Sequence, residues 1–455
     1  MLLDTIVAIS TPLGEGAIGI IRLSGPEAFM IADEIFRPLS QNEVVNRQMV
    51  YGHIYKNEKI VDEVMLVKMA APSTYTKENI VEINCHGGYI PLKEILELCL
   101  SKGARLAERG EFTMRAFLNG RIDLMQAESV MDLVSSKTSA GFNIALNQLE
   151  GTLSKKVKDL RAKLIHLMAQ VEVSIDYPEE DIEEITYAQI NDVLNKLEIQ
   201  ILNMLKHSKN GKIIREGLKT AIIGKPNVGK SSLMNALLRD SRAIVTEVAG
   251  TTRDLIEEFM NIGGIPIKLV DTAGIRETHD VVEKIGVERS KLVFNDADLI
   301  IFMLNASEPL TEEDLLLMEL VKEKHAIVLI NKTDLIMKID EDEINKHLND
   351  KVIIKTSMEL ELGIDEVEKA IQDMVLSGQA SMDHSEMLSN TRHIQLIEKA
   401  LSHVKEAKAA VSRHLPYDFI EVDIKDAILS LGQVTGESVE SDLLNNIFSH
   451  FCLGK

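Results

Sequence analysis

No uninterrupted apolar run in this chain approaches the length that crosses a bilayer, and no basic-then-apolar leader opens it. The first residues pass directly from Asp4 into a strand-like stretch. The expectation is a soluble, cytoplasmic protein with no membrane partner. Cysteine is scarce as well. Cys85, Cys99 and Cys452 are odd in number and too widely spaced for a disulfide framework or a zinc site, which fits a reducing compartment. Basic charge is in deficit, with 50 Lys and Arg against 71 Asp and Glu and a formal net charge of −21. That balance argues against a broad electrostatic grip on nucleic acid and leaves room only for a local basic patch or for a partner that supplies one. Low-complexity segments and short repeats are also lacking. What remains is an ordinary globular mixture, 45% hydrophobic and 27% charged. Its length of 455 residues calls for about three domains.

Three textures follow one another. Residues 1–119 mix short β-rich runs, Ile18 to Leu23 and Ile80 to Ile83 among them, with Gly-containing turns and a helical stretch from Pro91 to Ser101. This is an α+β pattern. Residues 120–217 carry apolar positions at helical spacing: Leu153, Val157, Leu160, Leu164, Leu167 and Val171, then Ile190, Leu194, Leu197, Ile201 and Met204 beyond the Asp176-Tyr177-Pro178 break. Residues 218–375 alternate β-rich runs with helical segments, the signature of βαβ units and a mostly parallel sheet. Helical spacing returns in 376–455, at Ile394, Ile397, Leu401, Val404, Ala407 and Val411. Helices on both sides of a compact α/β unit suggest that this unit is inserted into one discontinuous helical domain.

The third segment carries chemistry in a fixed order. Gly224-Lys225-Pro226-Asn227-Val228-Gly229-Lys230-Ser231 matches the P-loop pattern between a β-rich run and a helix. There backbone N–H groups wrap phosphates, Lys230 reaches the outer phosphates and Ser231 binds Mg²⁺; Ser232 adjoins them. Asp271-Thr272-Ala273-Gly274 follows the run Ile267 to Val270, where an acidic residue binds Mg²⁺ through water and a Gly amide senses the γ-phosphate. Asn331-Lys332-Thr333-Asp334 has the form of a guanine-reading motif, because the Asp334 carboxylate can accept from both N1–H and the 2-amino group of guanine. Adenine offers no such donor pair. Thr356-Ser357-Met358 stands where backbone amides would touch the base, although Met358 departs from the usual pattern. These strings predict a GTP site.

Between the P-loop and Asp271 lies a polar, switch-like stretch, Ala243-Ile244-Val245-Thr246-Glu247-Val248-Ala249-Gly250-Thr251-Thr252-Arg253-Asp254, in which one of the adjacent threonines should meet Mg²⁺. After Gly274 comes Ile275, where Ras-like enzymes place a water-orienting Gln. Isoleucine cannot orient water. Hydrolysis must then use another polar residue, Glu277 or Glu283, and another positive charge, Arg253, Arg276 or a bound monovalent cation.

Three features resemble the MnmE (TrmE) family of tRNA modification GTPases along essentially the whole chain. They are Asp4-Thr5-Ile6-Val7-Ala8 with Gly19-Ile20-Ile21-Arg22-Leu23-Ser24-Gly25, the GTPase set with Gly250-Thr251-Thr252-Arg253-Asp254, and the terminal Phe451-Cys452-Leu453-Gly454-Lys455. The resemblance implies an N-terminal α+β domain that dimerises and binds a folate, a discontinuous all-α domain and an inserted Ras-like GTPase domain. It implies work on tRNA as a homodimer, in a heterotetramer with two copies of the flavoprotein MnmG, which holds FAD. Together they would build an aminomethyl or carboxymethylaminomethyl group on carbon 5 of the wobble uridine from a folate one-carbon unit, 5,10-methylenetetrahydrofolate, of which 5-formyltetrahydrofolate is an analogue. Folate contacts are implied at Arg22, Glu82, Arg121 and Lys455, and K⁺ ligands at Asn227, Thr246, Val248 and Thr251. Mg²⁺ falls to Ser231 and Thr252, and the water-activating group to Glu283. Cys452 becomes a candidate reactive thiol, although an isolated cysteine in an apolar helical stretch more often packs as a small core residue. A buried ion pair or turn charge would explain Arg22 and Glu82 nearly as well. An Era-like ribosome-assembly switch is the competing reading of the GTPase motifs, and a GTP-driven scaffold is another.

Overall fold

The structure, a computed structural model, describes residues 4–39, 45–176, 185–240, 259–270, 297–376 and 387–455. By internal contact the chain divides into two units, one of Met1–Met131, Gln148–Glu198 and Lys399–Lys455, the other of Asp132–Asn147 and Ile199–Glu398. The architecture is multidomain, α+β and α/β.

The first unit holds β1 (Ile6–Ile9), β2 (Gly16–Ser24), β3 (Phe36–Pro38), β4 (Met49–Lys56), β5 (Lys59–Met69), β6 (Ile80–Gly87) and β7 (Arg105–Leu106) in one sheet of order β3-β4-β5-β6-β2-β1-β7. All neighbours are antiparallel except β1 and β7. β4 and the central part of β2 alternate buried and more open positions, as half-buried strands do. The apolar side packs on the helices Ala28–Ile35 and Tyr89–Ser101 through Ile21, Leu23, Ile31, Ile83 and Ile95. β4 turns into β5 through Asn57 and Glu58, both at positive φ, in a two-residue hairpin whose turn twist matches the strands. A charged cluster lies beside this sheet, with Arg115 and Glu111 buried and Arg105 and Asp4 open to solvent. Arg115, with a fully buried side chain, donates to Glu111 Oε1 at 2.9 Å and Asp4 Oδ1 at 2.8 Å, while Arg105 Nη2 donates to Glu111 Oε1 at 2.6 Å. Burial alone would push the Glu111 carboxyl up, but hydrogen bonds from Arg105, the Glu108 amide and Arg115 outweigh it and hold the group below the usual range.

The long helix Thr152–Asp176 buries Leu153, Val157, Leu160, Leu164, Leu167 and Val171, every position that the helical spacing singles out there. Ile190, Leu194, Leu197 and Ile201 are buried in the next helix, Tyr187–Leu205. Tyr187 stacks on Tyr417 at 4.9 Å and its hydroxyl donates to Leu415 O at 3.0 Å, which ties two segments far apart in sequence within the first unit.

The second unit holds β8 (Leu218–Ile223), β9 (Phe259–Ile262), β10 (Ile265–Leu269), β11 (Leu299–Asn305), β12 (Ala326–Asn331) and β13 (Val352–Lys355), in the order β13-β12-β11-β8-β10-β9. Every pairing is parallel except β9 with β10. β11 is buried at every position because a central parallel strand is covered on both faces. Its residues alternate between two cores: Leu299, Ile301 and Met303 face one, and Ile300, Phe302 and Leu304 the other. The carboxyl ends of β8, β11, β12 and β13 therefore open on one edge, where ligands of such sheets bind.

Candidate nucleotide site

β8 ends at Ile223, and the chain turns through Gly224–Gly229 into the helix Lys230–Asp240. Local geometry explains the residue types. Gly224 has φ 147° and Gly229 φ 108°, and a side chain on the first would strike the Met303 carbonyl, on the second the Asn331 amide. Asn227 sits at φ 61°, which asparagine tolerates better than most residues. Lys230 Nζ donates to Gly224 O and Lys225 O, both at 2.7 Å. Burial lowers its ammonium from the ordinary lysine range, partly opposed by Glu313. Asn227, Ser231 and Ser232 are exposed, and Val228 is buried under the loop.

Two strands away, Asn331 ends β12. Its Nδ2 donates to Val228 O at 2.8 Å, and its Oδ1 accepts from Met358 N at 3.2 Å and Thr356 Oγ1 at 3.3 Å. One buried amide thus joins the P-loop to the loop after β13. Lys332 stands at φ 65°, and Thr333 N and Oγ1 both donate to Thr356 O. Ser357 Oγ donates to Asp334 Oδ1 at 2.5 Å, which orients an exposed carboxylate. Asn331, Lys332, Asp334 and Ser357 therefore gather at one end of the P-loop. Thr356 falls in the loop that the sequence places near the base, but nothing in its type or spacing marks it as the residue that receives Thr333 and donates to Asn331.

Thr246, Glu247, Val248, Ala249, Gly250, Thr251, Thr252, Arg253, Asp271, Thr272, Ala273, Gly274, Ile275, Arg276, Glu277 and Glu283 lie outside the described residues.

The second candidate set falls in the first unit. Arg22 and Glu82 face each other across β2 and β6, with Arg22 Nη2 2.7 Å from Glu82 Oε1 and the guanidinium 5.8 Å from the Phe112 ring. Arg121 is exposed, its guanidinium 4.5 Å from the Tyr75 ring. The terminal strip is fixed by backbone contacts: Ser10 Oγ donates to Gly454 O at 3.2 Å and Gly110 N to Cys452 O at 3.3 Å. Phe451 is buried with Phe448 and Ala116. Of the cysteines, Cys85 and Cys99 are buried, and burial pushes their thiols up to about 11 and about 12; Cys452 is exposed. The core-packing alternative for Cys452 thus does not describe it.

The fold and its edge of loops define a P-loop nucleotide-binding protein with a guanine-reading motif. Comparison with known proteins narrows the class. The family described as GTP-binding protein TrmE N-terminus matches residues 5–121, and the MnmE helical domain matches residues 124–452. The tRNA modification GTPase MnmE of Alkaliphilus oremlandii (strain OhILAs) is 54% identical over 457 residues, 99% of each chain. That of Bacillus subtilis (strain 168) is 48% identical over 459 residues, all of both. Among solved structures, the FeoB G-domain from Methanococcus jannaschii aligns at 29% identity and TM-score 0.26, covering 35% of this chain and 98% of that one; so low a score carries no weight. The chain belongs to the tRNA modification GTPase MnmE family.

Proposed function

We propose that this chain hydrolyses GTP in the course of tRNA modification, and that with MnmG it builds the aminomethyl or carboxymethylaminomethyl group on carbon 5 of the wobble uridine. The observation that carries the nucleotide reading is the side chain of Asn331, the first residue of the guanine-reading motif, which joins the phosphate loop to the loop after β13. In this reading Lys230, steadied by the Gly224 and Lys225 carbonyls, reaches the phosphates, and Asp334, held by Ser357, accepts from the guanine edge.

The exposed oxygens of Asn227 and Ser231 are hard donors suited to hard cations rather than to soft metals. Ser231 would hold Mg²⁺ with Thr252, and Asn227 would hold K⁺ with Thr246, Val248 and Thr251. The cations would neutralise charge on the phosphates, and Glu283 would orient water. Folate binding at Arg22, Glu82, Arg121 and Lys455, with Cys452 nearby, is supported by the register that pairs the first two and by the contacts that bring the C-terminal strip to Ser10 and Gly110. The four-segment organisation, 1–119, 120–217, 218–375 and 376–455, is supported by the confinement of one sheet to Ile6–Leu106 and of the other to Leu218–Lys355. A homodimer, a heterotetramer with MnmG and a cytoplasmic location complete the proposal. Among the described residues no helix is long and apolar enough to cross a membrane.

Mass spectrometry of wobble uridines from cells lacking the protein tests the whole reading, with loss of the carbon 5 group expected and an unchanged tRNA overturning it. Phosphate release in K⁺ and in Na⁺ tests the cation, and equal rates would remove it.

A further inference from the structure

The P-loop carries a second lysine, and that lysine has a buried partner. Lys225 Nζ lies 2.7 Å from Asp314 Oδ2 and donates to Thr311 Oγ1 at 3.1 Å. Asp314 is the third residue of the helix Glu312–Lys322, and the same oxygen closes that helix's capping box, accepting from Thr311 N at 2.9 Å and Thr311 Oγ1 at 2.7 Å. The Asp314 side chain is 2% exposed and that of Lys225 13%, while Asp314 Oδ1 has no hydrogen-bond partner among the described residues. An exposed ion pair would be worth little. Here a buried carboxylate depends on one ammonium, and removing that ammonium strands a charge.

The main chain of Lys225 does different work. Its carbonyl, with that of Gly224, receives Lys230 Nζ, and two residues further on the chain takes the left-handed turn at Asn227. The side chain of one residue is therefore fixed to a neighbouring helix while its backbone supports the lysine that meets phosphate. The helix in question follows β11, so the contact ties the loop after β8 to the loop after its sheet neighbour.

We propose that the Lys225–Asp314 pair is a positioning device for the nucleotide phosphates, anchoring the front of the P-loop so that Lys230 and Asn227 stand where phosphate binds. This rests on the GTP reading of the site. In this proposal neither side chain touches the nucleotide. Base recognition rests chiefly on Asp334, which Ser357 holds by a bond that involves no P-loop atom, so the pair acts on phosphate affinity and leaves guanosine affinity alone.

The test uses the full chain with Mg²⁺, measuring GDP binding directly and guanosine by competition, for Lys225→Ala, Lys225→Arg and Asp314→Asn. Lys225→Ala and Asp314→Asn should bind GDP about tenfold more weakly, the scale of a lost hydrogen bond to a charged group, with guanosine unchanged and Lys225→Arg restoring GDP affinity to within about twofold. A purely structural pair would lower the melting temperature and leave the ratio of GDP to guanosine affinity intact, and that result overturns the proposal. Should Lys225→Ala fail to fold, Asp314→Asn decides: wild-type GDP affinity sinks the inference alone. If the unsubstituted chain binds no GDP, the GTP reading falls and this inference with it.

Discussion

The two sheets place their candidate sites differently. The six-stranded sheet offers loops beyond the carboxyl ends of parallel strands, where backbone groups and a few buried side chains form a cradle. The seven-stranded sheet offers side chains paired across antiparallel strands and a strip of chain from the far terminus. A cradle made of consecutive residues needs particular residue types at particular φ, so its requirements are local. A site made by strand register needs only that two side chains meet, and many sequences meet that need. The first kind therefore depends on single hydrogen bonds to one ligand, while the second shares its charges with the packing of its own unit.

The sharpest break of this comparison is Asp334→Asn. If the parallel edge reads guanine through one carboxylate, nucleotide preference should pass from GTP toward xanthosine triphosphate, with a change in the ratio of about 10⁴, as for sites built to hydrogen-bond their substrate. Competition binding checks it, and an unchanged preference would show that the base is read elsewhere.

A smaller effect is expected from the charges behind the antiparallel sheet. The folded Glu111 carboxyl titrates below its ordinary value of 4.5, so its contribution is full above that value and is lost as pH falls through the depressed folded value. Asp4 is lowered too: burial raises it, and Arg105 and Arg115 more than reverse that. Glu111→Gln should destabilise the first unit by about 3 kcal/mol, the cost of breaking a buried pair, and should flatten the acid side of its stability profile. Amide exchange in β1 and β2, compared with β11 and β12 between pH 3 and 6 (roughly the carboxylate range), would show it. Equal acid loss in both sheets would erase the contrast.

The smallest effect is expected at Arg22. Its ion pair with Glu82 is about a quarter exposed on each side, so Arg22→Ala should cost the fold no more than about 1 kcal/mol. Folate binding should nevertheless fall, with GTP hydrolysis unaltered. Calorimetry with 5-formyltetrahydrofolate checks the first and phosphate release the second; intact folate binding would remove Arg22 from that site.

Much of this was legible in the residues. The P-loop could be read because its glycines answer to local geometry, and the helices Thr152–Asp176 and Tyr187–Leu205 because burial on one face imposes a spacing. The β4–β5 hairpin escaped notice because its turn is Asn57-Glu58, without the glycine that usually marks such a turn. β9 escaped as well, being a four-residue antiparallel edge strand on an otherwise parallel sheet. Thr311 and Asp314 form a recognisable capping box, but nothing in that string says that Asp314 also holds Lys225, which lies 89 positions earlier (314 − 225).

By itself, then, the sequence determined the class of ligand, the family and the order of sheet and helix, since these follow from contiguous patterns with short-range physical causes. Only the tertiary structure decided that Asn331 bridges the P-loop and the base loop, that Arg22 meets Glu82, that Gly454 is held by Ser10 and that Lys225 is anchored by Asp314. Each of these is a contact between distant residues, fixed by strand order, register and the burial of polar groups that must find partners.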